Sequence, residues 1–231
     1  MRAATWPAQA ACMTTLTRIL DKYPPGAYHI VTRSIRQARL CGSDPLTGRD
    51  CSHRKQWIEE RIATLAESFP IAVRTHLVMS NEMHLVVQVE PDASRRWNAA
   101  DVLQRWFNVS RRRAESDEAR QRRIDASVDD AALVAKCRRR LGSVSCFMQL
   151  FSESIARAAN AEEGCTERFW EGRFRCRALP DESAILVAIA EVEEARRVFV
   201  RSRFDASRQA GASKVDEPGV RWLQGERQEP A

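Results

Sequence analysis

The chain has 231 residues, 44% of them hydrophobic and 29% charged, an ordinary balance for a folded domain with its own core. No run of about 18 apolar residues occurs, and Met1 to Leu20 lacks a compact apolar stretch before a cleavage site, so neither a membrane span nor a signal peptide is expected. The 37 basic residues exceed the 31 acidic ones, and only Lys22, Lys55, Lys136 and Lys214 are not Arg, which suits a phosphate-rich partner and is equally what an Arg-favouring base composition yields.

Residues 1–25 read as an amphipathic helical lead-in closed by Pro24, Pro25 and Gly26. Gly26 to Arg33 (GAYHIVTR) alternates β-branched and aromatic residues and predicts a strand. After a turn-rich stretch from Gly42 to Gly48, a helix begins near Ser52. Trp57, Ile58, Ile62, Leu65, Ala66 and Phe69 recur at helical spacing until Pro70 stops it. Ile71 to Met79 and Glu82 to Val89 are two strands joined tightly through Ser80 and Asn81, a hairpin. Ala99 to Val109 is helical, with Val102, Leu103, Trp106 and Phe107 on one face.

Composition then shifts. Residues 111–142 form a basic helical insertion bracketed by the triplets Arg111–Arg113 and Arg138–Arg140, either a solvated face or a contact to a DNA backbone. Ser143 to Ala159 is an amphipathic helix, and Glu167 to Leu179 (ERFWEGRFRCRAL) is an extended basic segment. Pro180, Asp181 and Glu182 open a last helix whose apolar face uses Ile185, Leu186, Ile189, Val192 and Phe199. From Asp205 to residue 231 the composition is that of a disordered tail. The order of elements predicts an α+β fold, an antiparallel sheet with packed helices, over residues 26–204. Seven Cys without a C-x-x-C pair point to reduced thiols and a cytoplasmic setting.

Chemistry concentrates in His76-Leu-Val-Met-Ser-Asn-Glu-Met-His84. Side chains two apart on a strand share a face, so Glu82 and His84 point together. A carboxylate and an imidazole can hold Mg²⁺ or Mn²⁺, and on spacing alone the pair fits a solvated edge as well. Arg33 and Arg36 follow the first strand, whereas Arg168, Phe169, Trp170, Arg173, Phe174 and Arg175 interleave guanidinium with aromatic groups. That mixture suits unpaired bases stacked on rings with phosphates met by Arg, while the plainer reading puts the rings in the core.

Four blocks resemble the IS200-like single-strand DNA transposases, in particular the REP-associated tyrosine transposases. They are Ala27-Tyr-His-Ile-Val-Thr-Arg33, Leu40-Cys-Gly42, Val78-Met-Ser-Asn-Glu-Met-His84, and Arg168-Phe-Trp-Glu-Gly-Arg-Phe174 with Ala178-Leu179 beyond. The resemblance spans roughly residues 26 to 200 and implies a ferredoxin-like fold, usually a dimer, acting on single-stranded, hairpin-forming DNA. It also implies a mechanism in which a His-x-His pair binds a divalent metal that polarises the scissile phosphate. A helix-borne Tyr attacks to leave a phosphotyrosine link, and an Asn one turn later completes the metal shell.

This chain departs from that pattern at the reacting positions. The His-x-His pair becomes Glu82 and His84, and a gap-free alignment from Ala178 puts Glu191 at the Tyr position and Ala195 at the Asn position. Tyr23 and Tyr28 are its only tyrosines, one before the fold and one in the first strand. A carboxylate can replace His as a hard ligand, yet Glu191 is a poor nucleophile towards a phosphodiester because the acyl phosphate would hydrolyse. The expectation is a DNA-binding protein of transposase ancestry, catalytically impaired. Its competitors are a metal-dependent nickase using Glu82, His84 and Glu191 with Mg²⁺ or Mn²⁺, and a subunit that pairs with an intact relative.

Overall fold

A computed structural model describes residues 25–35, 39–43, 48–110 and 115–212, without the side chains of residues 91 and 203–212. The expected lead-in and Arg36 lie outside the described residues. The chain divides into two compact units, one running to Val192 and the other from Glu193.

The first unit contains β1 (Gly26–Arg33), α1 (Arg54–Ser68), β2 (Ile71–Val78), β3 (Glu82–Val89), α2 (Pro91–Arg95) and α3 (Ala99–Val109). It continues with α4 (Asp117–Asp125), α5 (Ala131–Leu141), α6 (Val144–Glu163), β4 (Arg175–Leu179) and the start of α7 (Glu182–Ala212). The sheet order is β2-β3-β1-β4, antiparallel throughout. Two crossovers, through α1 and through the α2–α6 block, produce the split βαβ arrangement of a ferredoxin-like α+β fold, as the sequence predicts.

The sheet is covered on both faces, and this governs its composition. On one face lie Tyr28, Ile30, Met83, Leu85 and Val87, all buried. Helix α1 lies over it, placed by the 3.6 Å approach of Glu59 to His76, whose register partner is Leu85. Ile58, Ile62 and Leu65 form the buried stripe of α1, and Phe69 meets Phe147 of α6 edge to face at 5.3 Å. The other face carries His29, Val31, Arg33, Glu82, His84, Arg175 and Arg177. There α7 presents Ile185, Ala188 and Val192 as its buried face. Leu186, expected on that face, is instead 59% exposed, because the helix buries the 185-188-192 stripe and turns its neighbour outwards.

The triplet Arg111–Arg113 lies outside the described residues; the rest of the basic insertion is largely helical, and several of its arginines work inside the fold. Arg123 stacks over Phe107 at 3.7 Å and Arg140 over Trp106 at 5.3 Å, both aromatic residues of α3. Arg138 donates to the Ser94 carbonyl, and Val134, Cys137 and Leu141 are buried. These groups dock α4 and α5 onto the α2–α3 layer. Helix α3 opens with a reciprocal cap: Asn98 accepts from the Asp101 amide at 2.8 Å, and Asp101 accepts from the Asn98 amide at 3.2 Å. Asn98→Ala is expected to cost about 1 kcal/mol in urea unfolding, and a cost near zero would show the cap to be idle.

The second unit is the rest of α7, with i,i+3 ion pairs Glu193–Arg196 and Glu194–Arg197 and exposed Val198 and Val200. Residues 205–212 are helical, so this part of the expected tail belongs to α7, and residues 213–231 lie outside the description. No helix among the described residues is long and apolar enough to cross a membrane, and the six described cysteines form no disulfide.

Candidate nucleic-acid interface

Antiparallel register builds the site. Arg33 on β1 faces Glu82 on β3, Val31 lies between His84 and Arg175, and His29 lies between Val86 and Arg177. Three strands therefore bring two imidazoles, a carboxylate and three guanidiniums onto one face.

These groups form a chain of contacts. Arg33 donates to Glu82 Oε2 through Nε at 2.8 Å and through Nη2 as well. His84 Nε2 lies 2.8 Å from Glu82 Oε1, and His84 Nδ1 lies 3.1 Å from His29 Nε2. Arg177 Nη2 approaches His29 Nδ1 at 3.5 Å and donates to Glu191 Oε2 at 2.8 Å.

The ends fix the direction of the chain, since a guanidinium only donates and an ionised carboxylate only accepts. His84 then carries its proton on Nε2, towards Glu82, and its Nδ1 lone pair receives the Nε2 proton of His29. The Nδ1 lone pair of His29 faces Arg177. His29 is neutral in this assignment, which is inferred from the network.

The electrostatics agree for His29. Burial, followed by His84 and Arg177 close by, pushes His29 down to about 4, outweighing Glu191 and Glu82. The hydrogen bond from His84, reinforced by Arg33, holds the Glu82 carboxyl at about 2 against the opposing effect of burial. The arginine pairing with Glu82 in turn raises Arg33 above its usual value.

The donor set does not fit a divalent ion as arranged. A metal takes lone pairs from neutral imidazole and ionised carboxylate. Here the Nδ1 lone pair of His84 is directed at His29, its Nε2 proton points at Glu82, and the second Glu82 oxygen is held by Arg33. Among the described residues, no three or more His, Cys, Asp or Glu come together to hold a metal.

Other sequence-predicted positions separate into two groups. Arg173 and Arg175 are exposed, with Arg175 on the same face as His29 and Arg177. Phe174 is half-buried. Phe169, read from sequence as a stacking platform, is 3% exposed and packs edge to face with Trp170 at 4.9 Å. The Trp170 indole donates to the Ser152 carbonyl at 2.9 Å and Arg168 Nε to the Trp170 carbonyl at 2.8 Å. The plainer, core reading therefore describes Phe169, which has no open ring face to offer a base.

The segment from Phe169 to Glu171 also extends the sheet. Ile35 donates to the Phe169 carbonyl at 3.0 Å, and Glu171 donates to the Arg33 carbonyl at 2.9 Å. Ser34 donates to the Asn81 carbonyl at 2.9 Å, and Leu40 to the Ser80 carbonyl at 2.7 Å. Cys41 Sγ lies 3.3 Å from the Met79 carbonyl. Four sequence blocks, separated by up to about 130 residues along the chain, thus meet beside Arg33 and Glu82.

Sequence offers no signal for the participation of Arg177 and His29 beyond their alternation on strands. It is equally silent about Arg54, which is 1% exposed and donates to Glu162 at 2.8 Å, Glu163 at 2.6 Å and the Arg39 carbonyl at 2.8 Å.

No family model and no curated protein matches this chain. Among solved structures it is similar to "Structure of the REP associates tyrosine transposase bound to a REP hairpin", at 13% sequence identity and a TM-score of 0.32. The similarity covers 74% of this chain and 65% of that one, so the chain spans less than two thirds of its length.

Proposed function

We propose that this protein is a DNA-binding member of the transposase lineage that holds single-stranded or hairpin DNA at the exposed arginines around its first and last strands and has lost tyrosine chemistry. The observation that carries this reading is the meeting of the four transposase-like blocks around Arg33 and Glu82. Residues brought together for packing alone would be apolar. Here Arg33 stands at the meeting point, Arg175 is the register partner of Val31, and Arg173 is exposed within the fourth block.

Chemistry at the far end supports the loss of catalysis. The side chain at the nucleophile position is Glu191, and it is ion-paired to Arg177 at 2.8 Å. A paired carboxylate is a weak nucleophile, and its product with a phosphodiester would be an unstable acyl phosphate. The exposed guanidiniums need only bind. Arg meets phosphate oxygens through two parallel N–H donors, and each contact releases counterions.

Fluorescence anisotropy with a labelled hairpin oligonucleotide tests the placement of the surface. Arg173→Ala/Arg175→Ala is expected to weaken binding about tenfold or more and to make the slope of log K against log salt shallower by about 1.4, near 0.7 per lost single-strand contact. Unchanged affinity and slope would put the DNA elsewhere.

A further inference from the structure

We infer that Arg33 is a built-in cation at this site, occupying against Glu82 the position that a divalent ion would otherwise take. The resemblance implies Mg²⁺ or Mn²⁺ here, and the residues present answer that requirement differently.

Register sets Arg33 directly opposite Glu82, so the pairing follows from strand geometry as well as from side-chain placement. The guanidinium engages one carboxylate oxygen through two N–H groups, and His84 engages the other oxygen. A fixed positive charge in this position repels a second cation that would share the same carboxylate. It also keeps the Nε2 proton of His84 directed at the carboxylate, so the imidazole offers no lone pair on that side. Arg33 is 47% exposed at its side chain, and its substitution removes the charge without opening the core.

Without Arg33, the carboxylate keeps its charge and one oxygen is released. His84 can then carry its proton on Nδ1 as His29 moves its own to Nδ1 and Arg177 stays with Glu191, and Glu82 with His84 presents one oxygen and one nitrogen to a hard cation, the rest of the shell being water. The inference concerns the site alone and holds with or without a DNA partner.

Titration of Mn²⁺ into the full chain without DNA, followed by the free-ion paramagnetic resonance signal and by thermal unfolding, tests it. The variants are Arg33→Ala, Arg33→Gln and Arg33→Ala/His84→Ala. Both single variants are expected to bind Mn²⁺ at least about tenfold more tightly than the unaltered protein and to gain thermal stability with added Mn²⁺. The double variant loses the gain. Equal behaviour of the unaltered protein and the single variants, whether all bind Mn²⁺ or none does, overturns the inference. So does tighter binding by the unaltered protein.

Discussion

Replacing Arg54 with Ala is expected to lower folding stability by about 3 kcal/mol, through loss of the partner of a largely buried ion cluster. Its guanidinium joins the start of α1 to Glu162 and Glu163 at the end of α6 and ties down the Arg39 carbonyl. Removal leaves the two carboxylates with Arg49 and His53, which approach at 3.2 to 3.9 Å from partly exposed positions. Those partners are screened by water and recover a minor part of the loss. Urea unfolding should show a lower midpoint at unchanged slope. Arg54→Lys should recover little, since an ammonium group cannot fork to three separated acceptors. A loss under about 1 kcal/mol for the Ala variant would show that the cluster is not a clasp between these helices.

Acid should destabilise the protein earlier than its carboxylates alone would require. His29 is 3% exposed and its pKa is lowered from 6.5 to about 4. Between those two values the unfolded chain binds the proton and the folded chain does not, so stability rises with pH across the window. Its contribution is complete above about pH 6.5 and is lost as pH falls towards 4, up to about 3 kcal/mol at 1.36 kcal/mol per unit. Glu82 follows lower, its contribution being lost as pH falls from 4.5 through about 2. His29→Gln keeps a donor for His84 and an acceptor for Arg177 without a titrating group. Denaturant unfolding from pH 7 to pH 4 should therefore be flatter for this variant than for the unaltered protein. Parallel curves would mean that His29 is not buried in its neutral form.

Much of the fold is legible in the sequence because local signals and tertiary packing agree. The Ser80–Asn81 connection, the β-branched run from Gly26 to Arg33 and the stop at Pro70 each specify their elements within a residue or two. The long-range features are less legible. Strands β1 and β3 are covered on both sides, so burial does not alternate along them and cannot distinguish the face of His29 from that of Ile30. Leu186 was indistinguishable by period from its neighbours, and the stripe that α7 buries is set by the sheet beneath it.

Similar reasoning applies to the site. The shared face of Glu82 and His84 follows from a period of two. Their partners do not, because Arg33 and His29 arrive through register, about fifty residues away. Aromatic rings interleaved with Arg have the same pattern whether they stack on bases or on each other. The backbone bonds that seat Phe169 beside Ile35 decide the matter for that ring, whereas Arg173 and Arg175 are exposed.

The most direct measurement is made on an end-labelled, hairpin-bearing single-stranded DNA, incubated with the protein in EDTA and in Mn²⁺ and run on native and denaturing gels. A retarded band in both conditions, with the DNA intact on the denaturing gel, is the predicted result. Mn²⁺-dependent cleavage that disappears in Glu82→Ala and His84→Ala, or the absence of any retarded band, would contradict the account.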